Sequence, residues 1–157
     1  MIMSILKFEN RTPRDIEGMY NYMIDENKTN GAMIFGLGVN PQNAVAEMKF
    51  VQYVNGRYNL RHEYKQIIFS FDVGINLSPE VVKEVCIRIG WSLLTDERQV
   101  MGAIHGIGTE KVHCHYMINY VGIRGTLFRQ EYSVVYYKRK VNEILNDYGL
   151  TPINFYE

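Results

Sequence analysis

The sequence predicts an α+β fold in which helices pack on one side of an antiparallel sheet. Strand-like and helical segments follow one another in the order β-α-β-α-β-α-β-β-α. The two adjacent strands near the end are typical of a hairpin, whereas a doubly wound parallel sheet needs a crossover between each pair of strands. We therefore expect the late hairpin to lie at the centre of the sheet.

The first half of the chain contains two strands and two helices. A short strand is expected at about residues 4–9, and Thr12-Pro13 is expected to cap the first helix and occupy its first turn. That helix carries an apolar stripe, which consists of Ile16, Met19, Tyr20 and Met23. A strand at 32–39 precedes a helix that begins at Asn40-Pro41 and extends to about residue 54.

The second half supplies the strongest strands. Residues 56–62 form a polar, basic loop, and 64–71 are strand-like. Ser78-Pro79 caps a helix that reaches about residue 94, and strands follow near 98–105 and 112–121. The last of these strands is apolar on the face that carries Cys114, Tyr116 and Ile118. A final helix at about 131–148 ends at Gly149, a common residue just after a helix.

Length and composition indicate an ordinary globular protein. The 157 residues predict a single domain spanning 1–157, and 46% are hydrophobic. Cys86 and Cys114 are expected to be buried free thiols in a reducing compartment. Because the chain shows neither a membrane-length apolar run nor the features of a signal peptide, we expect a cytoplasmic protein.

The formal net charge is zero, because 17 basic residues balance 17 acidic ones. A dedicated nucleic-acid binder is usually basic, since phosphate contacts supply much of its affinity. Charge can still be segregated on one face, and the candidate basic patches are Arg57 with Arg61, Arg124 with Arg129, and Lys138 to Lys140. Neutrality therefore counts against a DNA-binding role without excluding it.

Three of the four histidines lie within eleven residues, at His105, His113 and His115. Residues i and i+2 of a strand point to the same face, so His113 and His115 present two imidazoles side by side. If the two strands pair as a hairpin, His105 comes level with them. Three neutral imidazoles that converge can bind a divalent cation and leave positions open for a substrate. The alternative is a strand whose histidines are structural or merely exposed.

Tyr22 is the candidate nucleophile among the twelve tyrosines. Tyr20 falls within the apolar stripe of the first helix, whereas Tyr22 lies at the edge of that stripe, where its hydroxyl can meet a partner. A phenol needs a cation or a base to act as a nucleophile at neutral pH. Tyrosine beside a metal held by histidines is a plausible set for phosphoryl transfer through a covalent phosphotyrosine link.

Several polar residues are candidates for substrate contact. Ser70 alternates with apolar neighbours and could contact a phosphate or bond only to the backbone. Asn119 shares the face of His113 and His115 and could orient a ligand or be a structural hydrogen-bonding residue. Exposed aromatic residues and the loop with Arg57 and Arg61 are expected to contact single-stranded DNA by stacking and charge.

These residues resemble the relaxase (mobilisation nuclease) domain of the MobA type, within the HUH endonuclease superfamily. The segment Tyr22-Met-Ile-Asp-Glu-Asn-Lys28-Thr29 looks like the family's first motif, and His62 through Ser70-Phe71 looks like the second. His105 followed by His113-Cys-His115-Tyr-Met-Ile-Asn119 looks like the third. Asp147-Tyr-Gly-Leu150 matches the helix end that closes such domains, so the resemblance covers nearly the whole chain.

The resemblance implies a five-stranded antiparallel sheet with the two-histidine strand at its centre. It implies a site- and strand-specific cut of single-stranded DNA at an origin of transfer, in which Tyr22 becomes linked to the 5′ phosphate. Magnesium or manganese would be bound by His105, His113 and His115, and Lys28 would be among the DNA contacts. Accessory relaxosome proteins are the implied partners.

One position departs from the family pattern. Many relatives have Asp two residues after the first histidine of the third motif, where this chain has Ile107. Glu110, or an acid elsewhere, could take over the orientation of a ligand histidine.

Two other functions are compatible with the sequence. A rolling-circle replication initiator or a single-strand transposase of the HUH type would use a tyrosine after the histidines, and Tyr136 and Tyr137 are available for that. A DNA-binding accessory module with a decayed active site would explain both Ile107 and the zero net charge.

Overall fold

The computed structural model describes residues 3–94 and 97–155. The strands are β1 (Ile5–Glu9), β2 (Ile34–Leu37), β3 (Tyr64–Ser70), β4 (Val100–His105) and β5 (His113–Asn119). The helices are α1 (Ile16–Met23), α2 (Ala44–Val54), α3 (Pro79–Leu93) and α4 (Val134–Asp147). Short 3₁₀ turns at Gly31–Met33 and Pro41–Asn43 precede β2 and α2.

The five strands form one antiparallel sheet in the order β1-β3-β5-β4-β2, with β5 at its centre. The predicted fold class and the central position of the two-histidine strand are therefore confirmed. His113 pairs with Ser70 of β3 and with His105 of β4. Since directly paired residues share a face, all three histidines lie on the same face, at one end of the sheet.

Helices cover both faces of the sheet, so the prediction that they pack on one side is wrong. Helices α1 and α2 pack on the face that includes Met101 and Met117. Helices α3 and α4 pack on the opposite face, against Cys114 and Tyr116. The physical reason is that β4 and β5 are buried on both faces, like central strands of a layered fold, and do not alternate between core and solvent.

Helix ends agree with the sequence at two places and differ at a third. The hydroxyl of Ser78 accepts a hydrogen bond from the Val81 backbone N–H at 3.3 Å, and Gly149 adopts a positive φ of 65° after α4, both as expected. The first helix, however, is capped by Asp15, which accepts from the Gly18 N–H at 2.7 Å. Thr12 instead pairs with Nδ1 of His62 at 3.0 Å.

Both cysteines are free and buried, as predicted. No helix within 3–94 and 97–155 has the length and apolar character needed to cross a membrane.

Candidate active site

The three histidines meet where β4 ends and β5 begins. Their ring centroids are separated by 4.6 Å for His105 and His115, 5.0 Å for His113 and His115, and 5.4 Å for His105 and His113. One nitrogen of each ring lies within 4.8 Å of a nitrogen of the other two. The pairing of β4 with β5 thus produces the convergence that the His-X-His spacing predicts.

Each imidazole donates one ring N–H to a carbonyl oxygen. The bonds join His105 Nε2 to Met23 O at 2.8 Å, His113 Nδ1 to Lys111 O at 2.9 Å, and His115 Nδ1 to Gln66 Oε1 at 3.0 Å. A carbonyl oxygen can only accept, so each of these bonds fixes which ring nitrogen carries the proton when the ring is neutral. The second nitrogen of a neutral ring then has a lone pair for a ligand.

His115 supplies the strongest indication that a ligand belongs here. Its Nε2 is buried and has no hydrogen-bond partner among the described residues. Burial and then the neighbouring imidazoles lower the pKa of His115 to about 3, and burial is also the main cause of the lowered pKa of His105. Both rings are therefore neutral near pH 7. A buried lone pair beside two other imidazoles fits a divalent metal ion.

Tyr22 lies against this triad at the last turn of α1. Its ring centroid is 5.3 Å from that of His115, at an interplanar angle of 90°, and 5.7 Å from that of His105. Nζ of Lys28 lies 4.0 Å from the centre of the tyrosine ring, and Cζ of Arg14 lies 4.4 Å from it. The ring is half-buried, while Ile16, Met19 and Met23 of the same helix are fully buried.

Two clefts meet at His113. A cleft of about 520 Å³ is lined by Tyr22, Lys28, His105 and His113, together with Lys111. A second cleft of about 380 Å³, lined in part by Ser70, shares Lys111 and His113 with the first. An extended ligand could therefore cross the triad with a cleft on each side.

Within residues 3–94 and 97–155, the histidines are oriented without a carboxylate. Ile107 is partly buried and packs against the core on the far face of the sheet, and Glu110 is exposed. The ring hydrogen bonds described above go to two backbone carbonyls and to the side-chain amide of Gln66, not to Glu110. The expectation that Glu110 orients a ligand histidine is not met in this structure.

The remaining predicted residues lie at different distances from the triad. Ser70 is half-buried and pairs directly with His113. Asn119 is fully buried at the opposite end of β5, where four hydrogen bonds engage its amide. Arg57 and Arg61 are exposed in the loop before β3, so they too lie at the end of the sheet away from the histidines.

Two neighbours of the site were not found by sequence reasoning. Gln66 is a polar residue on the same face of β3 as Ser70, four residues away. This even spacing along a strand could have predicted that Gln66 faces the histidines together with Ser70. Arg14, just before α1, carries no comparable signal, because its approach to Tyr22 depends on where Asp15 caps the helix.

The tyrosines of α4 are separated from the histidines. Tyr137 is buried in the core on the far face of the sheet, and Tyr136 is 38% exposed and stacks on Tyr132 at 4.2 Å. Among the tyrosines in the part of the chain that the structure describes, Tyr22 is therefore the one whose ring contacts the triad.

Residues 20–150 match the family Relaxase: MobA/VirD2-like, nuclease domain. The match covers more than half of the chain and confirms the resemblance found in the motifs. It includes Tyr22, Lys28 and all three histidines of the triad. A comparison with curated proteins found no match.

Proposed function

This chain belongs to the MobA/VirD2-like relaxase family, as a nuclease domain, and from that premise we propose that it nicks one DNA strand at an origin of transfer. The observation that carries the proposal is the contact between Tyr22 and a triad in which the buried Nε2 of His115 has no hydrogen-bond partner in the part of the chain that the structure describes. The expected process is mobilisation of a plasmid or conjugative element. The chain would act as a single nuclease domain.

In the proposed reaction Tyr22 is the nucleophile. Its Oη forms a bond to the scissile phosphorus while the bond from phosphorus to the 3′ oxygen breaks, which yields a 5′-phosphotyrosine link and a 3′ hydroxyl. The tyrosine loses one proton and the 3′ oxygen gains one, so charge and atoms balance. The positive charges of Lys28 and Arg14, over the ring, favour the negative charge that develops on the phenol oxygen.

We assign the metal to the lone pairs of His105, His113 and His115, with Mg²⁺ or Mn²⁺ as the expected ion. When bound, such an ion would polarise a non-bridging oxygen of the scissile phosphate. Lys28 and Ser70, one in each cleft, are proposed to hold phosphates on the two sides of the cut.

The proposed substrate is single-stranded origin DNA, and accessory relaxosome proteins are the proposed partners. A replication initiator or transposase would need Tyr136 or Tyr137 at the triad, and both belong to α4 on the far face of the sheet. We therefore favour the relaxase reaction over that alternative.

Tyr22→Phe is expected to abolish cleavage and the covalent adduct while leaving DNA affinity unchanged. The test is a denaturing gel shift with a labelled origin oligonucleotide and Mn²⁺, with the candidate sequence taken from the DNA beside the gene. Tyr20→Phe is the matched control, because Tyr20 lies in the same helix and its hydroxyl bonds to Gln42 O at 3.4 Å, away from the triad. That control should cut like wild type.

Two results would contradict this function. Full activity in Tyr22→Phe together with loss of the adduct in Tyr136→Phe or Tyr137→Phe would move the nucleophile to α4. If wild type never cuts and binds Mn²⁺ no better than His115→Ala, the chain is a DNA-binding module with a decayed site.

A further inference from the structure

The outer side of α2 exposes an unusual set of aromatic rings. Phe50, Tyr53 and Val54 lie at positions i, i+3 and i+4 and so share one side of the helix. Phe50 is 65% exposed, Tyr53 64% and Tyr58, in the following loop, 60%. The rings of Tyr53 and Tyr58 contact each other edge to face at 5.3 Å. We call Phe50, Tyr53, Val54 and Tyr58 the aromatic surface.

The fold does not require these rings. Helix α2 packs on the sheet through its other side, where Ala44, Met48 and Gln52 are buried. Contiguous exposed apolar side chains cost solubility and usually mark a binding site. The aromatic surface is therefore available for a ligand with flat apolar groups.

The charges around the aromatic surface favour an anionic ligand. Arg57 follows α2 and directly precedes Tyr58 in the sequence. Its Nε donates a hydrogen bond to Gly125 O at 3.0 Å, which anchors the guanidinium. Arg61 is exposed in the same loop. The nearest acid along the chain, Glu63, accepts from the Ile16 N–H at 3.2 Å, so its carboxylate is directed towards α1.

We propose that the aromatic surface, with Arg57 and Arg61, binds an unpaired stretch of the same DNA strand that is cut at the triad. Bases stack on exposed aromatic rings whatever their sequence, and arginines neutralise the phosphates between them. The occupant follows from this combination of exposed rings and two exposed arginines. The proposal rests on the function proposed above, because it assumes a single-stranded DNA substrate.

The position of the surface sets how much DNA is needed to reach it. The histidines lie near the Ser70 end of β3 and the aromatic surface near its Tyr64 end, on the side covered by α1 and α2. Six steps of about 3.3 Å along β3 make this separation at least about 20 Å, before the thickness of α2 is added. A stacked strand advances about 3.4 Å per phosphate and an extended single strand up to about twice as much, so at least about four nucleotides would join the two sites. A strand shorter than that can occupy only one of the two sites.

The test measures binding without cleavage, by fluorescence anisotropy in EDTA. The probes are oligothymidylates of about 20 nucleotides, which can reach both sites, and of about 3 nucleotides, which cannot. Phe50→Ala and Tyr53→Ala are each expected to weaken binding of the long probe by about tenfold, the scale of losing one stacked base. The advantage of the long probe over the short one should shrink in both variants.

Trp91→Ala is the matched control, since Trp91 is an aromatic residue of similar exposure, 57%, on α3 at the other face of the sheet. It should bind both probes like wild type. Arg61→Gln should reduce the slope of log affinity against log salt by about one, because it removes one phosphate contact. Melting temperatures of all variants should stay near that of wild type, as the changed side chains are exposed.

The outcomes separate this proposal from the function it rests on. If wild type cuts origin DNA but Phe50→Ala and Tyr53→Ala bind the long probe like Trp91→Ala, the aromatic surface is not a DNA site while the relaxase function stands. If wild type does not cut yet both variants lose affinity, the surface proposal stands alone. If the variants lose self-association or a protein contact and keep DNA affinity, the surface is a protein interface and the proposal is wrong.

Discussion

The hydrogen bond from His115 to Gln66 decides which nitrogen of a buried imidazole carries the proton. With Nδ1–H donated to the amide oxygen at 3.0 Å, Nε2 is left as the lone pair. Where a carboxylate holds such a histidine, it also makes the ring more basic and adds a negative charge near the metal. Gln66 gives orientation without that charge.

Gln66→Leu should weaken Mn²⁺ binding by about 10- to 100-fold, because the tautomer and angle of His115 are no longer fixed. Gln66→Glu should bind Mn²⁺ at least as tightly as wild type, since it keeps the acceptor and adds a charge. Isothermal titration calorimetry measures both, with His115→Ala as the reference for a lost ligand.

Gln52→Leu is the control for that experiment. Gln52 is as buried as Gln66, at 6% against 7% exposed, and bonds to Asn119 at the far end of the sheet. It should lower stability and leave Mn²⁺ affinity unchanged. Equal affinity losses in both variants would show that Gln66 acts through the fold and not through His115.

The residues of the triad could be predicted because alternation along a strand is local. In any strand, residues i and i+2 share a face, so His113 and His115 must lie side by side. Gln66 could not be found in this way, since it is 49 residues from His115 and meets it only through the register of β3 with β5. A sequence pattern predicts which residues share a face of a strand, whereas the register between two strands determines which residues of the partner strand they contact.

At the scale of elements, the loop from β4 to β5 holds the histidines in register. Gly106 has a φ of 78°, and a Cβ there would clash with Lys111 O, the carbonyl oxygen that orients His113. Its N–H also donates to Lys28 O at 3.3 Å, which ties this loop to the one beside Tyr22. Gly106 therefore connects the end of β4, the carbonyl that orients His113 and the loop that contains Lys28.

Gly106→Ala should destabilise the protein by more than the ~1–2 kcal/mol cost of a left-handed alanine, and it should also weaken Mn²⁺ binding. Gly108→Ala separates the backbone cost from the clash with Lys111 O. Gly108 has a similar φ of 83°, but a Cβ added there would have no atom of the described residues within 4 Å. It should show only the backbone cost. Urea unfolding and Mn²⁺ titration of both variants give the comparison, and identical affinities would exclude a role for Gly106 in positioning His113.

The elements themselves were largely predictable, and their ends were less so. Ser78 and Pro79 mark the start of α3 correctly because both are good residues for their positions. Thr12 and Pro13 carry the same pattern, yet α1 begins at Ile16 after Asp15. Thr12 bonds to His62, 50 residues away, so a tertiary contact overrides the local cap.

At the scale of the whole molecule, the sheet separates two cores with different tasks. The core under α3 and α4 is the larger and includes Cys86, Cys114 and Tyr116. The smaller core under α1 and α2 ends at the histidines, so the burial that stabilises α1 also brings Tyr22 to the triad. The two-sided packing was not predicted, because the start of β5 alternates His113 and His115 with Cys114 and Tyr116, a pattern typical of a strand with one polar face. That face is buried only because α1 and α2 pack on it.

Burial of the triad links global stability to pH. The pKa of His115 is about 3 in the folded protein, because burial and the neighbouring imidazoles disfavour its charged form, against an ordinary value of 6.5. The unfolded chain therefore takes up the proton first as pH falls. The contribution of His115 is fully present above pH 6.5 and is lost as pH falls from 6.5 towards 3.

We therefore expect the metal-free protein in EDTA to lose stability between pH 6.5 and about 3, with His115 contributing up to about 1.4 kcal/mol per pH unit. His115→Asn, which cannot ionise there, should show a shallower slope over the same range, while the lowered pKa of His105 leaves part of the dependence in place. Urea unfolding at a series of pH values measures both slopes. Parallel slopes would mean that His115 is not held neutral by burial, and the argument for its free lone pair as a metal ligand would fail with it.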